Sequence, residues 1–457
     1  ESKMIWLTLL ALCHAFTTEL MYNFTWLNFT FQTPEDYVTY YDSQAYENCP
    51  LAGVKVNSEG TYFVSVPRWD GGVPATLSTI VNQDGLILLQ PWPSWDENEI
   101  GDNSALQSVL GFEIDKDDKV WVLDQGRVNG VAVAGSTKVK VYNKDGSVHK
   151  LYNLTDVADP ALTFLNDLVI DEINNYLYIA DSGNPADSSL PVEGALITVD
   201  LSKDDGAPKR LLNNSKYTNP DPGLWIHING AAVGTEAPIS TGADGIALTC
   251  EGDLLFWTPL TSRTMYAIET KYLREGLSSS KLEDEIIHMG YKLSASDGLA
   301  MTAKGDLYIT AIEENKIYRL EDPNLNPNSF DFLNFETIAH NNTSMIWPDT
   351  IGFDNSKNRL VFVSNQLQSF TNRSLNWNET NFRIWSVDID DYSYLFGCDS
   401  DDDEDDSSDF PSWVWPVVAV ISLIIVGMLA LFCYKKMKKP RRYSMISDEK
   451  SSVNTNC

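Results

Sequence analysis

The chain has 457 residues, 43% of them hydrophobic and 21% charged, with 33 basic against 64 acidic side chains and a formal net charge of −31. That composition is globular rather than disordered, and so acidic a surface repels phosphate backbones, which excludes nucleic acid as a partner. Six cysteines are too few for a disulfide scaffold, while 13 Trp and 20 Tyr favour an all-β fold.

The first element in chain order is a secretory leader assigned to residues 1–18. Ile5–Phe16 is apolar, Lys3 is its basic flank, and Cys13-His14-Ala15 places small residues near a cleavage point. The aromatic-rich run Tyr37–Tyr41 then reads as a strand.

From Gly53 onward the chain repeats itself. Gly53–Val64 sets a pattern of turn, apolar strand, short polar turn and aromatic-rich strand. It recurs at Gly111–Asp124, Asp167–Asp181, Asp244–Thr258, Asp297–Thr310 and Asp349–Ser364. The units start about 50–80 residues apart, alternate at period two and carry a further β run, such as Lys138–Tyr142 or Arg383–Val387. One such unit cannot bury both of its faces, whereas a ring of them can. The expected fold is therefore an all-β, six-bladed β-propeller over residues 19–398, with Tyr37–Tyr41 completing the last blade.

Residues 399–412 form an acidic stalk, with eight acids among the eleven residues Asp399–Asp409, whose self-repulsion keeps it extended. Trp413–Tyr434 contains no charge over 22 residues, enough at about 1.5 Å per residue to cross a hydrocarbon layer of roughly 30 Å as one transmembrane α-helix. Lys435, Lys436, Lys438, Lys439, Arg441 and Arg442 follow, and a basic cluster beside a spanning helix lies on the cytoplasmic side. The expected protein is thus a single-pass membrane protein with an extracellular or luminal body, at the plasma membrane or in endolysosomes, and a cytoplasmic tail 435–457. Asn-x-Ser/Thr sequons at Asn23, Asn28, Asn153, Asn213, Asn341, Asn342, Asn372 and Asn378 all fall on the luminal side. In the tail, Tyr443-Ser-Met-Ile446 has the Tyr-x-x-bulky form read by sorting adaptors, and Cys433 is placed for palmitoylation.

Cys49, Cys250 and Cys398 remain in the body, and three thiols allow one internal bridge. Cys49 with Cys398 is the expected pair, because both flank the propeller and a bridge there would clasp the ring.

In a propeller the innermost strand of each blade begins beside the central channel. Glu113, Asn166, Asp167, Asp244, Asp297 and Asp349 head these strands and should converge there. Convergent carboxylates can salt-bridge a protonated amine or hold a hard cation such as Ca²⁺ through oxygens. Taken singly, each Asp also fits a turn residue that caps its own backbone. The histidines His149, His227, His288 and His340 have no metal-ligand spacing, and no Gly-x-Ser-x-Gly elbow is present.

Ser65-Val-Pro-Arg-Trp-Asp-Gly-Gly-Val-Pro-Ala-Thr-Leu77 resembles the PRW…GVPATL segment of the Yellow and major royal jelly protein family. Leu110-Gly-Phe-Glu-Ile-Asp115 with Val120-Trp-Val-Leu-Asp-Gln-Gly126, Phe164-Leu-Asn-Asp-Leu168, Trp257–Arg263, Trp347-Pro-Asp349 and Val363–Gln368 extend the likeness in order. The resemblance implies a six-bladed propeller. Family members are mostly secreted, whereas this chain carries a spanning segment, and Asp117/Asp118 stand where the family has a cysteine before the WVLD strand. Some Yellow-related proteins bind small biogenic amines in the channel, using positions that correspond to Thr350 and Asn365; Leu367 stands where the family places a stacking aromatic. The strand-head carboxylates Asp244, Asp297 and Asp349, with Thr350 and Asn365 added by the resemblance, lead to the expectation of a small, cationic, amine-like ligand in the channel. Two further classes stay open. One is a metal-assisted hydrolase or isomerase, lactonase-like or dopachrome-converting, with a divalent ion on Glu113, Asn166, Asp244 and Asp297. The other is a structural or adhesion glycoprotein with a packed channel.

Overall fold

The computed structural model describes residues 16–321 and 334–398. Six four-stranded antiparallel sheets follow one another between Thr18 and Asp388. Their innermost strands are Val54–Val56, Val109–Ile114, Leu165–Asp171, Ala243–Leu248, Leu299–Met301 and Pro348–Asp354, heading blades 1 to 6. Each inner strand touches the next, and blade 6 returns to blade 1. The sheets therefore close into a ring, and the expected six-bladed propeller is what forms.

Close packing at the axis explains the Gly that follows several strand heads. A Cβ on Gly111 would lie 2.3 Å from the Asn166 carbonyl oxygen of blade 3, and one on Gly245 would lie 2.4 Å from the Asp297 carbonyl oxygen of blade 5. Neither position tolerates a side chain, because neighbouring inner strands meet backbone to backbone there. Further out, aromatic and β-branched side chains such as Tyr142, Tyr178, Phe256, Tyr308 and Phe362 fill the space between blades and are fully buried.

Ring closure differs from the expected one. Blade 6 takes its outer strand from Thr18–Phe24, paired antiparallel with Phe382–Asp388, so Thr18, placed in the leader by sequence, is the first residue of a strand. Tyr37–Tyr41 is not a strand but part of the helix Pro34–Asp42. Thr33 and Asp36 cap one another, with the Asp36 amide donating to Thr33 Oγ1 at 3.2 Å and the Thr33 amide to Asp36 Oδ2 at 3.1 Å, and Pro34 opens the first turn. Those start signals override the β preference of the tyrosines.

The disulfide is also reassigned. Cys398 bonds to Cys250, across 148 residues, and Cys49 is a buried free thiol. The reason is the path of the chain after blade 6. It crosses the face where the inner strands end. Ala303 of blade 5 donates its amide to Tyr392 O at 2.9 Å, and Ser393 donates its amide to Asn355 Oδ1 at 2.8 Å. The amide of Ile170 in blade 3 donates to the Tyr394 hydroxyl at 2.9 Å. This strap ends beside blade 4, at Cys250, instead of at the ring seam.

The greater part of the leader, residues 1–15, lies outside the described residues, as do the stalk, the 413–434 segment, Cys433 and the Tyr443–Ile446 motif. Among the described residues no helix is long and apolar enough to cross a membrane.

Candidate ligand site at the head of the channel

Four of the six inner strands are irregular where they begin. The register slips between Val109 and Phe112, Leu165 and Asp167, Ala243 and Ile246, and Pro348 and Ile351. Such bulges turn a side chain out of the sheet's alternation, and Leu110, Asn166, Asp244 and Asp349 sit in them. Blade 5 reaches the same end differently: Thr310 Oγ1 accepts the amides of Asp297 and Gly298 at 2.8 and 3.1 Å and holds the Asp297 head in place.

These five heads line one cavity of about 530 Å³. Asp244, Asp297 and Asp349, on three adjacent blades, make an acidic crescent; Leu110 and Asn166 complete the floor. Apolar walls rise from Trp69, Phe164 and Phe370, with Trp69 6.2 Å from Phe164 and 6.4 Å from Phe370 between ring centroids. At the rim Arg373 lies over the Phe370 ring and pairs with Asp70 at 2.5 Å.

Each acid has a donor, and none of the donors is a cation. Asn166 Nδ2 donates to Asp244 Oδ2 at 2.7 Å, Trp347 Nε1 to Asp297 Oδ2 at 2.7 Å, and Asn365 Nδ2 to Asp349 Oδ2 at 2.5 Å. Thr350 Oγ1 adds a bond to Asp349 Oδ1 at 3.2 Å. Asp244, Asp297 and Asp349 are all buried, and like charges brought together out of water raise one another's affinity for a proton. Burial, with the neighbouring Asp297 charge, pushes Asp244 and Asp349 well above the usual carboxylate range. Burial pushes Asp297 up to about 6, against the opposing pull of the Trp347 N–H. In the contacts described the three acids accept from the side chains of Asn166, Trp347, Asn365 and Thr350, and not as caps of their own backbone amides.

The expected ligand set is thus brought together, with Asp244, Asp297 and Asp349 on the cavity surface and Thr350 and Asn365 as their direct partners. The expected metal set is not. Glu113 lies past the bulge of its strand and deeper in the channel, where Lys55 Nζ donates to Glu113 Oε2 at 2.8 Å and to Ile351 O at 3.0 Å. Asp167 lies at that lower level too, beside a void of about 10 Å³ lined by Lys55, Glu113 and Tyr394; burial pushes it up to about 6. Asn166 and Trp347 turn N–H groups, not oxygens, toward the acids. Among the described residues the only three acid, thiol or imidazole groups within 4.8 Å of one another are Cys250, Glu251 and Cys398, two of them joined in the disulfide. The donor set does not fit a divalent cation such as Ca²⁺.

The wall residues Trp69, Phe164 and Phe370 were not among the expected site residues. Trp69 and Phe164 stand inside the strings that carry the family likeness, which was the available signal. Phe370 follows Leu367 by three residues on the short helix Leu367–Thr371, so both face the cavity. An aromatic wall is therefore supplied although Leu367 replaces the expected stacking ring.

A ring of six blades with an acid-floored, aromatic-walled pocket at one channel mouth defines a propeller with a small-molecule-sized site. The family model described as Major royal jelly protein matches residues 107–398. The chain belongs to the major royal jelly protein family. Among its relatives, Major royal jelly protein 7 of Apis mellifera is 26% identical over 374 residues, covering 76% of this chain and 80% of that protein. Protein yellow of Drosophila yakuba is 25% identical over 362 residues, covering 74% and 63%. Among solved structures, a luciferin-regenerating enzyme aligns with a TM-score of 0.44 at 13% identity, covering 74% of this chain and 91% of that one.

Proposed function

We propose that this protein binds a small organic cation, an amine with an aromatic or apolar body, at the head of its propeller channel. The observation that carries the reading is the crescent of Asp244, Asp297 and Asp349 in an aromatic-walled cavity, with no described Lys or Arg ion-paired to any of the three. An ammonium group placed there gains charge-assisted hydrogen bonds in a water-poor setting, and its apolar body stacks on Trp69, Phe164 or Phe370. The Trp69 indole N–H and Asn184 Oδ1 are buried without partners and belong to residues lining the same cavity. Both are available to polar groups of a ligand.

The setting we propose is a single-pass membrane glycoprotein whose propeller is extracellular or luminal. Residues 413–434 form the span, and Tyr443 and Ile446 are offered to sorting adaptors at the plasma membrane or on the way to endolysosomes. Seven of the eight sequon asparagines are exposed, and Asn28 is half-buried, which supports their modification. The test is calorimetric titration of the purified protein with phenethylammonium and with its neutral isostere 2-phenylethanol. The cation is expected to bind and the alcohol to bind far more weakly. Asp349→Asn should cost about ten- to a hundredfold in cation affinity, the worth of one charge-assisted bond. Equal affinity for cation and alcohol would refute the reading.

A further inference from the structure

The acids of the crescent cannot all be ionised in the empty pocket. Asp244, Asp297 and Asp349 are buried on three adjacent blades around one cavity, with no described Lys or Arg ion-paired to any of them, and like charges so placed keep a proton among them. Trp347 Nε1 donates to Asp297 and so favours its ionised form, which leaves the proton with its neighbours in the crescent. A cation that takes its place against these oxygens needs their charge, and it removes the condition that keeps the proton there.

We propose that cation binding at this site displaces a proton held by the Asp244, Asp297 and Asp349 crescent, so that the site loads at neutral pH and empties in acid. The inference rests on the cation-binding reading above. The step is an exchange: one carboxyl O–H bond of the crescent breaks, its proton passes to solvent, and the ligand's N–H groups take over the carboxylate oxygens. No other bond is made or broken.

The groups around Asp244 and Asp297 do not supply the missing positive charge. From blade 6, Asp349 adds a third carboxyl. From blade 3, Asn166 is neutral and Asp167 is acidic. Lys55 of blade 1 is held by Glu113 of blade 2, at the lower level of the channel. At the rim Arg373 is paired with Asp70, and Arg127 lies over Phe164 and donates to Asn184 O at 3.2 Å. Arg263 and Glu313, from blades 4 and 5, pair with each other. Lys292, buried next to blade 4 and bonded to Thr258 Oγ1, feels the Asp244 charge, and burial pulls it down to about 7. It gains its proton as the pH falls and so acts in the same direction, against a bound cation. Burial holds Asp244 and Asp349 well above the ordinary carboxylate range and Asp297 at about 6, so the exchange falls at higher pH than the titration of ordinary carboxylates.

The experiment is titration of the intact protein with phenethylammonium in phosphate and in Tris at about pH 7.5, repeated at about pH 5.5 in buffers of different ionisation enthalpy. About one proton should be released per ligand bound, and affinity should fall by up to about tenfold per pH unit below that proton's pKa. Asp297→Asn, which removes one acid from the crescent, should bind the cation more weakly and release less than the wild type. Should that variant not fold, the wild-type titration decides alone. Binding with no proton release and an unchanged affinity across this range overturns the inference and leaves the cation reading standing. Absence of binding at the higher pH removes both.

Discussion

Replacing Cys398 with serine tests the strap and the reassigned disulfide together. The bond to Cys250 closes a loop of 148 residues. In the chain-entropy treatment a loop of that length removes about 17 cal/mol/K from the unfolded chain, or about 5 kcal/mol at room temperature, with measured values commonly about 2–4. For a folded body of about 380 residues the unfolding entropy is about 0.8 kcal/mol/K, so the melting temperature should fall by roughly 3–6 °C. Differential scanning calorimetry of the wild type, Cys398→Ser, Cys250→Ser and the double variant reads this directly. All three variants should lose the same amount, because each removes the same bond, and the double loss should not be additive. Cys49→Ser should move the transition far less. A melting point within about 1 °C of wild type for Cys398→Ser, or a Cys49 peptide linked to the Cys398 peptide in a non-reducing digest, would refute the reasoning.

Two further outcomes follow from buried groups outside the pocket. Lys55→Met should destabilise the protein by about 3–5 kcal/mol, because it leaves Glu113 buried without its partner. Chemical denaturation should show most of that loss recovered in Lys55→Met/Glu113→Leu. Cys49 is fully buried, and burial pushes its thiol up to about 12, so it carries almost no thiolate at neutral pH. A thiol reagent should leave it unlabelled in the native protein and modify it only on unfolding; rapid labelling of the native protein would contradict its placement.

Much of the architecture was legible in the sequence because the same local problem is solved six times. Each inner strand has to pass its neighbour at backbone distance, and Gly53, Gly111, Gly245, Gly298 and Gly352 mark the place in five of the six blades. What local pattern did not reveal was depth. Glu113 and Asp244 both belong to the start of an inner strand, yet Glu113 lies three residues beyond Leu110, which holds the head position in blade 2. That step carries its carboxylate out of the cavity and down to Lys55. The closing strand was hidden for a different reason. Thr18–Phe24 is solvent-facing over most of its length, so it lacks the apolar alternation that marks a buried strand. Tyr37, Tyr40 and Tyr41 did carry their own correction, since spacings of three and four are helical. The cysteine pairing depended on where the last residues travel after blade 6, and that path is set by contacts with three other blades.

The levels of the channel bear on how the site works. Below the acidic crescent, Lys55 joins blades 1, 2 and 6 through Glu113 and the Ile351 carbonyl, and below that Tyr394 of the strap bonds to the backbone of blade 3. The space left between those two levels is about 10 Å³, roughly one water. A ligand in the upper cavity therefore has no route through the propeller among the described residues, and it enters and leaves past Trp69 and the Asp70–Arg373 pair. The same layering explains why the crescent keeps its proton. The ammonium group that could have neutralised it is engaged one level down by Glu113, so the positive charge for Asp244, Asp297 and Asp349 has to come through the mouth.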